Sequence, residues 1–285
     1  MSGNRVKTDA ALGRVESALS VDEVARAAGR IAARGPKREA MMALADGAPR
    51  LRIESLTAGY GRMEILHRID LYVGQGQSLC LIGPNGAGKS TVLHTVYGFT
   101  NIRGGRIYMG DTEITHLSPK DKLRHARIAY ILQDNSVFPD MTVEENLNMG
   151  GYLLNDRQAV REATERVLDK YPRLAERRQQ RAGVLSGGER RLLEISRALI
   201  MQPEALLVDE PSIGLEPRYI DMVFGILDDL QHQDGKTIVL VEQNATKGLE
   251  FADIGYVLVS GQVALAGRGD ELLKNPEVER LFLGG

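Results

Sequence analysis

Nine consecutive residues, Gly83-Pro84-Asn85-Gly86-Ala87-Gly88-Lys89-Ser90-Thr91, satisfy the pattern G-x-x-x-x-G-K-[ST] in full. The pattern has a mechanism. Glycines let successive backbone amides converge on an anion at a helix N-terminus, where the peptide dipoles favour negative charge. A lysine then compensates the terminal phosphates, and the hydroxyl after it offers magnesium a hard oxygen ligand. Lys89 and Ser90 stand at those two positions. The flanks agree: Gln77–Ile82 is a continuous apolar run, as a buried parallel strand is, and Ser90–Tyr97 reads as a helix. A glycine-rich turn arising by chance has no reason to sit between them. Cys80, on that strand, reads as a small buried hydrophobe.

A second apolar run, Ala205–Val208, ends in Asp209 and Glu210, the Walker B pattern. Side chains alternate along a strand, so adjacent carboxylates face different ways and can take different tasks. Asp209 is placed to hold magnesium, directly or through water, and Glu210 to polarise an attacking water as general base. Two solvated acids at a strand end are common by themselves. After a phosphate loop, on a buried strand, they read as nucleotide hydrolysis.

The stretch Leu185-Ser186-Gly187-Gly188-Glu189 precedes a helix predicted over Arg190–Met201. One hydroxyl, glycine amides and a helix N-terminus make a second anion cradle there. Ordinary phosphate-loop kinases and GTPases do not require one. The stretch resembles the signature motif of ATP-binding-cassette (ABC) ATPases, and further matches follow in that family's order. Tyr60, in Ala58-Gly59-Tyr60-Gly61, resembles the aromatic that stacks on adenine. Gln133, ending a strand predicted over Arg127–Leu132, resembles the glutamine that senses magnesium and the attacking water. Ser212-Ile213-Gly214-Leu215-Glu216-Pro217 stands where the family's loop crosses a dimer interface, and Gln243 where its γ-phosphate contact lies.

The resemblance covers residues 51–285 and implies ATP and Mg2+ as ligands. In each ATP site, one subunit's phosphate loop would face the other's Ser186–Glu189 segment. It also implies an α/β fold, the P-loop NTPase of ABC type: a parallel sheet core, an antiparallel β subdomain and a helical subdomain inserted at about 134–201. Two positions depart from the general pattern. Most of the family has histidine where Gln243 stands; a neutral amide has similar reach but cannot carry a proton, which leaves Glu210 as the base. Glu216 replaces a customary aspartate with a longer side chain.

Narrower similarity lies in Val137–Leu147, in Leu240–Ala245 and in the terminal Leu283-Gly284-Gly285. These runs resemble the smaller ATPase of branched-chain amino-acid importers, a subgroup that shares the glutamine at 243. That implies two membrane permease subunits, a second identical or related ATPase, a periplasmic substrate-binding protein and a place on the cytoplasmic face of the inner membrane. The segment Gln133–Leu147 would touch a permease's cytoplasmic helix. Because a cassette does not contact the cargo, amides, small carboxylates and lipid-linked glycans are alternative substrates. A soluble non-transport cassette is a different class; such proteins tend to carry two cassettes or a long coiled coil, and this chain has neither. Gln243 and Glu216 also motivate a third reading, a regulatory subunit that binds ATP without hydrolysing it.

Composition sets the outer limits. The 285 residues are 43% hydrophobic and 26% charged, which suits one or two folded domains and excludes wholesale disorder. A net charge of −2 offers no general attraction for nucleic acid. The single cysteine excludes an internal disulfide. No apolar run approaches the roughly 18 residues that would span a bilayer.

Four kinds of element must hold the motifs in place. Leu51–Thr57 and Arg68–Val73 interleave polar and apolar residues, so they read as half-exposed antiparallel strands. Thr237–Val241 is a third buried run. From about Ser118 to Met201 the sequence is largely helical; Arg157–Tyr171 is the clearest helix, with Val160, Thr164, Val167, Leu168 and Tyr171 on one side. Residues 1–50 differ in kind, with twelve alanines and no aromatic. Ser20-Val21-Asp22-Glu23 has capping-box spacing, and Arg26, Arg30 and Arg34 share one face of the helix it would start. Alanine buries too little area to anchor such a helix firmly. The expectation is therefore an extension, disordered or partly helical, with the domain starting at Leu51.

Overall fold

The continuous apolar runs become the middle of a sheet. In the computed structural model, which describes residues 35–133 and 136–282, the chain enters through β1 (Pro49–Tyr60) and β2 (Met63–Gly74), an antiparallel pair, and continues into β3 (Ser78–Ile82). β4 (Asn101–Met109) and β5 (Thr112–Glu113) complete a four-stranded antiparallel sheet of order β2-β1-β4-β5. β6 (Ile128–Ile131), β7 (Ala205–Asp209), β8 (Thr237–Val241), β9 (Ile254–Val259) and β10 (Gln262–Arg268) join β3 in a second sheet of order β10-β9-β3-β8-β7-β6. Every pairing in it is parallel except β10 with β9.

Every residue of β3, β7 and β8 is buried, because both faces of the sheet are covered. Alternation divides them between two cores. Cys80, Leu206 and Leu240 face Leu147, Leu193 and Leu227 of the helical side. Leu79, Leu207 and Val239 face Leu71, Ile53 of the antiparallel sheet and Val92 of the helix Lys89–Tyr97. One sheet thus carries two different layers, and the site lies along the rim they share.

The helical stretch forms Val143–Gly150, Arg157–Lys170, Pro172–Ala175 and Gly187–Leu199. The helix expected to reach Tyr171 ends one residue earlier, with Ala163, Thr164, Val167 and Leu168 buried. The front strands differ more from expectation. β2 begins at Met63, five residues before the predicted Arg68, and Leu71–Val73 are buried on both sides rather than half exposed. Ser55 and Arg68 have positive φ (47° and 54°) and the β1–β2 register shifts between Ile53 and Leu56. Such irregularities break the period-two signal that the sequence reading relied on.

Secondary structure also appears upstream of Leu51, within the stretch expected to be disordered or partly helical. A short helix, Arg38–Met42, buries Met41, and Ala45 joins the same core. Arg38 lies 2.5 Å from Asp70 and donates to Ser55 Oγ, while the Gln77 amide binds Asp46 through both its nitrogen and its oxygen. The helix read over residues 20–32 and the terminal Leu283–Gly285 lie outside the described residues. Among the described contacts, a chain starting at Met41 loses the partly exposed Arg38–Asp70 ion pair, about 0.2–1 kcal/mol, the Arg38–Ser55 hydrogen bond and the first three residues of the short helix. A chain starting at Gly47 also strips Met41 from the core, about 2–5 kcal/mol. Urea unfolding should rank full length, Met41 start and Gly47 start in that order.

Lys122 is a fully buried lysine whose Nζ, among the described residues, hydrogen-bonds the Thr95 carbonyl alone, at 3.5 Å, near the C-terminus of the phosphate-loop helix. Burial pushes its pKa down from 10.5 to about 8. The unfolded chain then holds the proton more tightly than the folded one, so this group's contribution to stability rises with pH between about 8 and 10.5. The rise is up to about 3 kcal/mol. Denaturant titrations at pH 7.5 and 9.5 should show it in the wild type and not in Lys122→Met.

Candidate nucleotide site

The chemistry-bearing residues collect at the carboxyl ends of the parallel strands, where open α/β sheets place their ligands. Gly83 follows β3, Gln133 follows β6, Asp209 ends β7 with Glu210 directly after it, and Gln243 follows β8. Gly83 must be glycine: its φ is 143°, and a Cβ there would lie 2.1 Å from the Leu258 carbonyl oxygen. Gly88 caps the helix Lys89–Tyr97 at φ 98° with no side chain bonded to the first-turn amides. Those donors are left facing the loop, the arrangement an anion requires. Lys89 Nζ donates to the Gly83 carbonyl (2.8 Å) and the Pro84 carbonyl (3.1 Å) within the same loop. Burial lowers its pKa, opposed by the charges of Glu210 and Asp209.

Ser90 Oγ donates to Asp209 Oδ1 at 3.0 Å, so phosphate loop and Walker B strand meet through one hydroxyl and one carboxylate. That pair of hard oxygens fits magnesium, which takes few protein ligands and completes its shell with phosphates and water. Glu210 has φ 42° and donates its amide to the Val241 carbonyl at 2.8 Å, so its side chain leaves the strand in a different direction from that of Asp209. Gln133 Nε2 donates to Glu210 Oε2 at 2.6 Å. Burial raises the Glu210 pKa, helped by the neighbouring charge of Asp209 and opposed by Lys89. A glutamate held above its ordinary range is a better proton acceptor near neutral pH.

The signature segment differs from its expected helix start. Its helix starts at Gly187, three residues before the predicted Arg190, with Ser186 as N-cap. Glu189, expected in the nucleotide cradle, turns its carboxylate back: it accepts from the Ser186 amide (2.9 Å) and from Arg173 and pairs with Arg177. It is a capping residue here. Gly188 allows close packing, since a Cβ would fall 2.1 Å from the Tyr219 ring. No side-chain hydrogen bond among the described residues joins Ser186–Gly188 or the exposed Gln243 to the Lys89–Asp209–Glu210 cluster. Glu216 pairs with Arg218 instead of capping the helix Pro217–His232. Tyr60, at the end of β1, is 39% exposed; its hydroxyl meets His94 Nδ1, with the rings edge to face at 6.1 Å.

Two residues of the site escaped the sequence reading. Tyr130 OH donates to Asp209 Oδ2 at 2.8 Å. Arg191 donates to the Leu132 carbonyl (2.7 Å) and the Asp209 carbonyl (3.3 Å) while paired with Glu194, whose other oxygen accepts from the Ser136 amide. Oppositely charged residues three apart on a buried helix face were a readable signal for the Arg191–Glu194 pair. Nothing marked Tyr130.

The comparisons agree with this geometry. The family described as "ABC transporter" matches residues 66–213. The high-affinity branched-chain amino acid transport ATP-binding protein BraG of Pseudomonas aeruginosa is 41% identical over 235 residues, 82% of this chain and all of that protein. The probable branched-chain amino acid transport ATP-binding protein LivF of Archaeoglobus fulgidus is 37% identical, over 82% of this chain and 98% of that one. Among solved structures, the ADP conformation of MJ1267, an ATP-binding cassette of an ABC transporter, superposes with a TM-score of 0.74 at 29% identity, covering 83% of this chain and 99% of that one. Phosphate loop, Walker B carboxylates and signature helix on this fold, together with a match across nearly the whole of two relatives, have one meaning: the chain belongs to the ABC transporter family and is one of its ATPase cassettes.

Proposed function

We propose that this chain hydrolyses ATP for an importer of branched-chain or related amino acids. It would sit on two permease subunits at the cytoplasmic face of the inner membrane, beside a second, identical or related cassette, with a periplasmic protein delivering the cargo. The cargo class rests on BraG and LivF, the relatives whose names state it. No helix of the described residues is long and apolar enough to cross a membrane, so attachment falls to a surface. A groove of about 300 Å³ supplies the observation that carries the reading. Leu132, Phe138, Met149 and Tyr152 line it, each more than 40% exposed. Large apolar side chains gathered in one groove mark a partner surface, and an amphipathic helix fits it. Leu132 precedes Gln133, so the groove adjoins the residue bonded to Glu210.

In this reading Lys89 gives up its loop carbonyls for the terminal phosphates, and the free amides of the helix Lys89–Tyr97 hold the rest of the anion. Ser90 and Asp209 would hold Mg2+, with Gln133 within reach of the same region. When bound, the ion supplies charge neutralisation on the phosphates and polarises the bond to be cut. Glu210 takes the proton of the attacking water, its carboxylate steadied by Gln133. Ser186, Gly187 and Gly188 would serve ATP held by the partner cassette, and Tyr60 would stack on adenine. Closure of two cassettes then moves the permeases between inward and outward states. Phe138→Glu with Met149→Glu tests the groove: permeases should no longer co-purify while nucleotide binding stays within about twofold. Retained co-purification would place the permeases elsewhere.

A further inference from the structure

Tyr130 sits between two sites that the reading above treats separately. Its hydroxyl donates to Asp209 Oδ2 at 2.8 Å, and Asp209, 3% exposed, accepts from Ser90 on its other oxygen at 3.0 Å. Both oxygens of the carboxylate are therefore fixed, one by the phosphate loop and one by Tyr130. The Tyr130 ring is itself held by aromatic neighbours: His94 at 5.8 Å, Tyr97 at 5.5 Å and Phe99 at 6.0 Å between centroids. It also lines the groove beside Leu132 and Phe138.

We propose that Tyr130 is a positioning residue for the metal site: its hydroxyl fixes the plane of the Asp209 carboxylate so that the oxygen facing Ser90 is aimed at magnesium. A carboxylate free to rotate about its terminal bond must lose that freedom when it binds a metal; a donor on the far oxygen removes the cost beforehand. Partners that orient metal ligands in this way typically change metal affinity by about 10- to 100-fold when removed. The same ring lines the groove, which places the residue that aims Asp209 on the groove's wall.

The inference rests on the nucleotide-binding reading, and the experiment separates the two. ADP affinity is measured by calorimetry for wild type, Tyr130→Phe and Tyr97→Phe, each with magnesium and with excess chelator. Tyr130→Phe keeps the packed ring and removes only the donor; Tyr97→Phe removes a hydroxyl from the same aromatic cluster without touching Asp209. The expected result is that magnesium strengthens ADP binding in the wild type and in Tyr97→Phe. In Tyr130→Phe that gain shrinks about tenfold, while affinity in chelator is unchanged. An undiminished gain in Tyr130→Phe overturns the proposal, as does equal loss with and without magnesium. Failure of Tyr130→Phe to fold while Tyr97→Phe folds would overturn it too, because the hydroxyl would then be structural. A wild type without affinity for ADP would overturn the nucleotide reading as well.

Discussion

Replacing Glu210 with glutamine should lower the ATP turnover rate by about 10²–10⁴ while ATP still binds. The amide keeps the shape of the carboxylate and can still present an oxygen to Gln133 Nε2, which donates to Oε2 at 2.6 Å in the wild type. It has lost the negative charge and with it the capacity to accept a proton. Among the described residues the neighbouring groups are otherwise engaged: Asp209 is tied to Ser90 and Tyr130, Glu242 accepts from Ser212 and the Asn244 amide, and Gln243 cannot take up a proton. Since product formation is what reopens the closed pair in the proposed cycle, the variant should accumulate as an ATP-bound dimer in gel filtration. The wild type carries a companion signature. Burial and Asp209 hold the Glu210 pKa above the ordinary glutamate range, so activity should fall on acidification at a higher pH than a solvated glutamate would give. Wild-type turnover in Glu210→Gln would remove this residue from the mechanism.

Lys89→Ala should weaken ATP and ADP binding by at least about tenfold, because it removes the charge-assisted contact to the terminal phosphates. Ser186→Arg should do something different. Ser186 caps the helix Gly187–Leu199 and, among the described residues, its side chain makes no hydrogen bond to the cluster around Lys89. Losing the cap costs about 1 kcal/mol. In the proposed pair of cassettes the larger effect is bulk and charge in the cradle that would meet the partner's nucleotide, so single-subunit binding should persist while hydrolysis fails. Binding isotherms alongside steady-state ATPase rates distinguish the two variants, and equal loss of binding in both would contradict the division of labour between the motifs.

The buried strands were legible in the sequence because a strand covered on both faces needs an unbroken apolar run. Thr237–Val241 is found with its predicted bounds, and β3 and β7 differ from prediction by one residue at one end. The phosphate loop was legible for a related reason: its glycines, lysine and hydroxyl each answer a separate physical demand at fixed spacing. Legibility failed where one residue's meaning depends on another far along the chain. Tyr130 becomes part of the site only because β6 pairs with β7 in a register that sets Tyr130 beside Leu207 and carries its hydroxyl to Asp209. Glu189 has the same type and spacing whether it serves a nucleotide or caps its own helix; in the fold its carboxylate accepts from the Ser186 amide and pairs with Arg173 and Arg177. Upstream of Leu51, alanine-rich composition suggested a loose tail. One methionine, Met41, and one arginine, Arg38, suffice to bring the chain onto the fold earlier.

ATP hydrolysis coupled to amino-acid movement is the core of this account, and reconstitution measures it directly. The chain is purified with its permeases and partner cassette, placed in proteoliposomes with the binding protein, and assayed for uptake of labelled leucine, isoleucine and valine. Wild-type complex should accumulate label only with ATP and magnesium, with ATPase activity stimulated by loaded binding protein, and the Glu210→Gln complex should do neither. Accumulation that is equal in the two complexes, or that proceeds without ATP, would contradict the role assigned to this chain.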